Sequence, residues 1–227
     1  MNQYLYAIVD RMPTAWRPPT SGLGDASVVP RRVHDVVVLG SLLETVPPPT
    51  PRTLAVHNDI VAMVIDAAAL VPFPYGTMVP SAELSDWVAG HRALVAAALA
   101  SVRDCVEMSV KLLRLDCAVE EPGPRSAEPG RALQELADTL IDRAGLPQWR
   151  YRPTGTSANV AASIAFLVPR AELADFLARI APVASRATGV AVVPTGPWPP
   201  YSFVPDFERS SLTRVSGASR GAGRRAG

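Results

Sequence analysis

The hydrophobic pattern of the first hundred residues predicts strands followed by helices. Residues 3–9 are rich in aromatic and β-branched types, which predicts a first strand. Residues 33–39 predict a second strand, with a shorter partner at 27–31. Apolar residues then recur at helical intervals, which predicts a helix from His57 to about Leu70. This half of the chain is therefore expected to be α+β, with a small sheet and helices.

A second helix is predicted to begin at Ser81, a residue type that often caps helices, and to continue to about Val102. The run of prolines at 47–51 cannot lie inside a helix, so it is interpreted as a connection. Alanines at 96–98 and at Ala100 would permit close approach of another helix, although packing within the chain explains them equally well.

The second half of the chain predicts six elements in the order strand, helix, strand, strand, helix, strand. In the first strand, alternation places Val106 and Met108 in the core and Glu107 on the other side. The six elements are predicted at residues 104–115, 131–144, 148–152, 160–168, 171–180 and 189–193. This is the order of the ferredoxin-like βαββαβ fold. We therefore expect an α+β protein with two domains, at 1–103 and 104–208, and a disordered Arg/Gly/Ser tail at 209–227.

The composition is that of a globular protein of the cytosol. Hydrophobic residues make up 48% and charged residues 19% of the 227 residues. The net charge of +1 gives no reason to expect a nucleic acid or a lipid membrane as partner. The N-terminus lacks the basic and apolar regions of a signal peptide, and no apolar run approaches a membrane span. Cys105 and Cys117 do not have the spacing of metal ligands and are expected to be free thiols.

No arrangement of polar residues in the sequence predicts catalysis. His34, His57 and His91 form no metal-binding or nucleophile motif with one another. His57 precedes Asn58 and Asp59, and at a helix start such residue types are more often caps than acid–base groups. A hydrolase or transferase would need converging polar residues that the sequence does not show. We therefore expect a protein that is not an enzyme and has no catalytic residue, cofactor or metal.

Two aromatic, proline-rich segments are more specific than a generic fold requires. The first is VPFPYGT at 71–77, between the two predicted helices. The second is TGPWPPYSFV at 195–204, whose prolines favour a stiff, extended backbone. The rings of both segments either pack into the protein's own core or form a pre-ordered contact strip for a partner. The candidate partner-binding residues are Pro72, Phe73, Tyr75, Gly76, Thr77, Gly196, Pro197, Trp198, Pro199, Pro200, Tyr201 and Phe203.

The two segments resemble motifs of the gas vesicle F/L family. GPWPPYSFV is similar to the C-terminal signature of that family, and PFPYGT is similar to its central PFRFGT-type motif. Pro74 stands where the family usually has an arginine, so any role of that cation is in doubt here. The stretches YLYAIV, VEMSVKL and AFLVPRAELADFLARI fit the same pattern in order, and the resemblance extends from about Tyr4 to Phe207.

The resemblance implies a role in forming gas vesicles, the hollow protein shells that provide buoyancy. Members of the family are assembly factors or minor shell components. They are thought to bind the small hydrophobic shell-forming protein, through the N-terminal domain. The resemblance thus implies a location at gas vesicles in the cytoplasm and contacts with that subunit and with other gas vesicle accessory proteins. A different class of function stays open, a regulatory module of tandem ferredoxin-like domains that binds a small ligand.

Overall fold

The computed structural model describes residues 1–115, 127–153, 160–187, 189–205 and 207, and within them the chain forms two antiparallel sheets. The strands are β1 Asn2–Val9, β2 Val29–Val33, β3 Val36–Leu43, β4 Leu70–Pro72, β5 Met78–Pro80, β6 Cys105–Arg114, β7 Trp149–Pro153, β8 Val160–Pro169 and β9 Val190–Trp198. The α-helices are α1 Pro51–Ala62, α2 Leu84–Gly90, α3 Arg92–Ser101, α4 Ala127–Ala144 and α5 Leu173–Ala184. Cys117 and the predicted tail at 209–227 lie outside the described residues.

The first sheet is built around β1, which is buried on both faces. Its strand order is β2-β3-β1-β4, and β5 also pairs with β1. Tyr4 and Tyr6 belong to a hydrophobic cluster with residues of α1, whereas Leu5 and Ile8 belong to a cluster with α2 and α3. Because both faces are covered, β1 is a continuous apolar run in the sequence rather than an alternating one.

The second sheet has the order β7-β8-β6-β9, and α4 and α5 cover one of its faces. Met108 and Val110 of β6 are buried under these helices, as the alternation in the sequence predicts. On the opposite face, Ala165 and Leu167 join the hydrophobic cluster of α2 and α3. The α+β class is confirmed, and the six elements of this half follow the predicted order.

The predicted bounds of the first helix are wrong. The helix begins at Pro51, because Thr50 caps it and forms a reciprocal capping box with Thr53. Proline at the first helical position is favourable, since its missing N–H would have no partner there. The helix ends at Ala62, and the residues up to Leu70 form turns that lead into β4. The proline run is thus a helix start as well as a connection.

Other corrections concern the elements around the first aromatic segment. The segment lies between α1 and α2, as predicted, but it begins in the short strand β4 and leads into the short strand β5. Ser81 does not cap a long helix but begins a 3₁₀ turn, Ser81–Glu83, and the predicted helix is divided into α2 and α3 at His91. The β2–β3 hairpin is shifted toward the C-terminus relative to the prediction, and His34 in its turn has a φ of 53°. The last strand extends beyond residue 193 to Trp198.

Backbone contacts join the two halves of the chain. The amide of Asp104 donates to the carbonyl of Ala68 at 2.6 Å, and the amide of Arg170 donates to the carbonyl of Asp104 at 2.8 Å. The guanidinium of Arg170 also donates to the carbonyls of Ile65 and Ala67. Since a hydrophobic cluster crosses the same boundary, each half depends on the other for part of its core. Within the described ranges, no helix is long and apolar enough to cross a membrane.

Candidate partner-binding site

The two aromatic segments meet at the imidazole of His57, on α1. The hydroxyl of Tyr4 lies 2.8 Å from His57 Nδ1. On the other side of the ring, Nε2 lies 3.1 Å from the carbonyl oxygen of Phe73 and 3.2 Å from the hydroxyl of Tyr201. One buried side chain therefore connects β1, the first segment and the second segment.

The partners of His57 fix its tautomer. The carbonyl of Phe73 only accepts hydrogen bonds, so His57 Nε2 carries the proton and donates it. Nδ1 is then an acceptor and receives the hydroxyl proton of Tyr4. The Tyr4 oxygen in turn accepts from the amide of Gly76 at 3.2 Å, which ties the first segment to β1. The result is a fully hydrogen-bonded chain inside the core.

His57 is a structural residue in this arrangement. Its side chain is 1% exposed, and burial lowers its pKa to about 4, so it is neutral near pH 7. Burial raises the pKa values of Tyr4 and Tyr201, which keeps both hydroxyls protonated. The position of His57 in the middle of α1 shows that the expectation of a helix-start cap was wrong. Its residue type and neighbours in the sequence gave no signal of this network.

The first segment directs its rings inward. Phe73 is 1% exposed, and its ring centroid lies 5.9 Å from that of Trp87 and 5.3 Å from that of Phe207. Tyr75 is half-buried and donates to the carbonyl of Pro47 at 2.8 Å. The exposed Pro74 supplies a carbonyl that accepts from the Thr77 hydroxyl at 2.8 Å, closing the turn. The geometry therefore favours packing inside the protein, rather than contact with a partner, for these rings.

The second segment begins with a bulge that only glycine fits. Gly196 has a φ of 126°, and a Cβ on it would lie 2.9 Å from both the Glu107 carbonyl oxygen and Met108 Sδ. The register between β6 and β9 shifts at this point, since Ser109 pairs with Thr195 but Glu107 pairs with Trp198. The bulge ends the regular pairing of β9 and turns the chain toward the first sheet.

A buried carboxylate holds the chain after the bulge. Glu107 is 9% exposed and accepts from the Ser202 amide at 2.8 Å and from the Ser202 hydroxyl at 2.9 Å. Burial raises its pKa, and the bonds from Ser202 and the charge of Arg152 oppose that rise. Alternation in β6 predicts Glu107 on the face opposite Met108, and on that face the 3₁₀ turn Tyr201–Phe203 covers its carboxylate.

The second segment leaves one ring on the surface. Phe203 is 9% exposed, and the guanidinium carbon of Arg150 lies 5.3 Å from its ring centroid. Pro199 and Pro200 are buried and Tyr201 is half-buried. Trp198 is 50% exposed, and its Nε1 donates to Thr195 Oγ1 at 3.4 Å. Of the candidate residues, therefore, Trp198 presents a large apolar side chain to solvent, next to the exposed Pro197.

Among the residues that the structure describes, no group of three or more His, Cys, Asp or Glu side chains could hold a metal ion. Cys105 is a free, partly buried thiol whose pKa is raised by burial. The converging polar groups are those of His57, its tyrosines and Glu107, and each has its partners inside the protein. These contacts hold the two aromatic segments against the fold.

A family comparison places the chain in a class of gas vesicle synthesis proteins. The profile of the gas vesicle synthesis protein GvpL/GvpF family matches residues 2–148 and 127–205, so the chain belongs to that family. The fold is similar to the crystal structure of GvpF from Anabaena sp. PCC7120, with a TM-score of 0.73 and 14% identity over 90% of this chain and 98% of that chain. It is also similar to GvpF from Microcystis aeruginosa, with a TM-score of 0.68 and 14% identity over 89% of this chain and 98% of that chain. No curated protein sequence matches the chain significantly.

Proposed function

We propose that this protein is a non-catalytic assembly factor or minor shell component of gas vesicles that binds the small hydrophobic shell-forming subunit. Family membership supports a role connected with gas vesicles. The observation that supports a contact with an apolar partner is the exposed indole of Trp198, held at the end of β9. Exposed aromatic side chains on a rigid backbone lose little entropy on binding, which makes them effective contact residues.

The proposed contact surface includes fewer residues than the twelve candidates. Phe73 and Phe203 are buried, and Tyr75 and Tyr201 make hydrogen bonds inside the protein, so their role is to hold the surface in place. Replacing Trp198 and Tyr201 together would remove the proposed partner contact and would also disturb packing inside the protein. A loss of vesicles could then not be assigned to either cause. The sharper test replaces Trp198 alone.

The test compares Trp198→Ala with Trp149→Ala, each in the full-length chain in a host whose vesicle formation depends on this protein. Trp149 is a suitable control because it is 40% exposed and lies on β7, at the other edge of the second sheet. We expect few or no vesicles with Trp198→Ala and normal numbers with Trp149→Ala, at equal protein levels. Normal vesicle numbers with Trp198→Ala would overturn the proposed contact.

We further propose that residues 104–208 form a ferredoxin-like domain and residues 1–103 an N-terminal domain that takes part in binding the subunit. The element order of the second half and its strand order β7-β8-β6-β9 support the first assignment. The hydrophobic cluster that crosses the boundary means that neither half is expected to be stable alone. Binding experiments therefore need the whole chain.

A further inference from the structure

A groove between α4 and α5 combines arginines with an apolar floor. Its volume is about 340 Å³, which is within the range of protein binding sites. Its cations are Arg143 of α4, Arg179 of α5 and Arg186 just after α5. The lining contains no acidic residue. Its other members are Leu136, Thr139, Pro182, Val183 and Ala187.

Two donor atoms of the Arg179 guanidinium have no acceptor, although the side chain as a whole is 37% exposed. Its Nε and Nη2 atoms are closed off from solvent and have no hydrogen-bond partner. Oε2 of Glu172 lies 3.5 Å from Nη2 and forms an ion pair with it that lacks hydrogen-bond geometry. Buried donors in native proteins nearly always have an acceptor. The groove therefore holds an arginine whose charge is only partly compensated within the protein.

The acidic residues of the neighbouring turns of α4 do not neutralise the groove. Glu135 pairs with Arg131 at 3.1 Å, and Asp138 accepts from Gln134 at 2.9 Å. Asp142 is exposed and does not line the groove. Three cations therefore surround the apolar floor, with Glu172 at one of them as counter-ion.

We propose that the groove is a docking site for an acidic, partly apolar segment of another protein, with its carboxylates on the three arginines and its apolar side chains on Leu136 and Val183. Charge complementarity selects the acidic groups, because guanidinium groups bind carboxylates in a planar, paired geometry. The apolar floor favours a peptide over a small inorganic anion. The lining has no aromatic ring on which a base could stack, which disfavours single-stranded nucleic acid. The site is separate from Trp198, so the protein would have a second contact surface.

The experiment measures binding of a fluorescein-labelled helical peptide with Glu and Leu on one face to the full-length protein, by fluorescence anisotropy. A matched peptide carries Gln in place of every Glu. The groove variant is Arg143→Gln with Arg186→Gln, both at exposed positions where folding is retained. The control variant is Arg32→Gln with Arg52→Gln, which removes the same charge at exposed positions outside the groove.

We expect saturable binding of the Glu peptide, with at least about a 10-fold loss for the groove variant and for the Gln peptide. The control variant should bind within about 2-fold of wild type, because its two arginines do not line the groove. Equal losses in both variants would show general charge attraction and overturn the proposal. So would equal binding of the two peptides, the absence of saturable binding, or full displacement of the peptide by inorganic phosphate. Vesicle formation by Trp198→Ala is scored separately, so the two proposals can fail independently.

Discussion

The two aromatic segments resemble each other in composition but use their rings differently. In the first segment, Phe73 lies in the core and the hydroxyl of Tyr75 donates a hydrogen bond to the carbonyl of Pro47, before α1. In the second, Tyr201 and Phe203 pack on the protein, but Trp198 remains half exposed. A stiff aromatic strip is therefore not in itself a contact surface. What distinguishes the two is whether a neighbouring element covers the ring.

The largest expected difference between the segments is in stability. Phe73→Ala removes a fully buried ring that contacts Trp87 and Phe207, so we expect the free energy of unfolding to fall by about 3–5 kcal/mol. Trp198→Ala removes an exposed ring and should cost less than about 1 kcal/mol. Urea denaturation measures both. Comparable losses in the two variants would contradict the distinction between core and surface.

The meeting of the segments at His57 predicts a pH-dependent stability. The folded pKa of about 4 lies below the ordinary value of 6.5, so the unfolded chain takes up a proton in this window before the folded chain does. The free energy of unfolding should therefore fall as the pH is lowered from 6.5 to 4, by about 3 kcal/mol in total for this group. Above pH 6.5 this histidine should contribute no pH dependence.

The variant His57→Gln isolates that contribution. Tyr4 and Tyr201, which contact the ring, stay protonated in this range, and Glu107 has a shift of opposite sign that is present in both proteins. Wild type should be more stable than the variant at about pH 7.5, and the difference should shrink by about pH 4.5. A difference that stays constant between the two pH values would show that His57 is not buried as a neutral group.

The bulge at Gly196 predicts a smaller loss of stability than the changes at Phe73 and His57. Gly196→Ala should destabilise by about 1–3 kcal/mol, because its φ is unfavourable and its Cβ would meet backbone and Met108. Gly90→Ala is the matched change, at a helical position where a Cβ would meet nothing within 4 Å. It should be neutral or stabilising, by up to about 1 kcal/mol. Thermal unfolding of both variants checks the expectation, and tolerance of Gly196→Ala would refute the strained geometry.

The smallest expected loss of stability follows from replacing the buried carboxylate of Glu107. Glu107→Gln keeps the size of the side chain but leaves one of the two Ser202 donors facing an amide NH₂, so we expect a loss of about 1–2 kcal/mol. Limited proteolysis with chymotrypsin should also show faster cleavage after Tyr201 if the turn is held by this contact. Unchanged stability and unchanged cleavage would mean that the turn is held by other contacts.

The sequence predicted the element types and their order better than their contacts. Periodicity is local, so it identified β6, α4, β8 and α5, and the glycine after α4 has the positive φ expected of a helix end. The proline run on its own indicates a break in the helix, whereas Thr50 and Thr53 have the spacing of a capping box and Pro51 suits the first helical position. The start of α1 is therefore encoded in the local sequence.

The contacts of His57 and Glu107 could not be predicted in the same way. Both depend on residues distant in sequence, Tyr201 for the histidine and Ser202 for the glutamate. Both are polar residues with ordinary local patterns, and nothing in a local window shows that the end of the chain covers them. The aromatic segments were found, but which of their rings would be exposed depended on the same long-range folding.

We propose that Trp198 contacts the small hydrophobic shell subunit, and site-specific photocrosslinking can detect that contact. Benzoylphenylalanine is placed at position 198, or at 149 as control, in the full-length chain in cells that form vesicles. We expect a crosslinked adduct with the shell subunit from position 198 and little or none from position 149. An equal yield from both positions, or no adduct with the subunit from position 198, would contradict it.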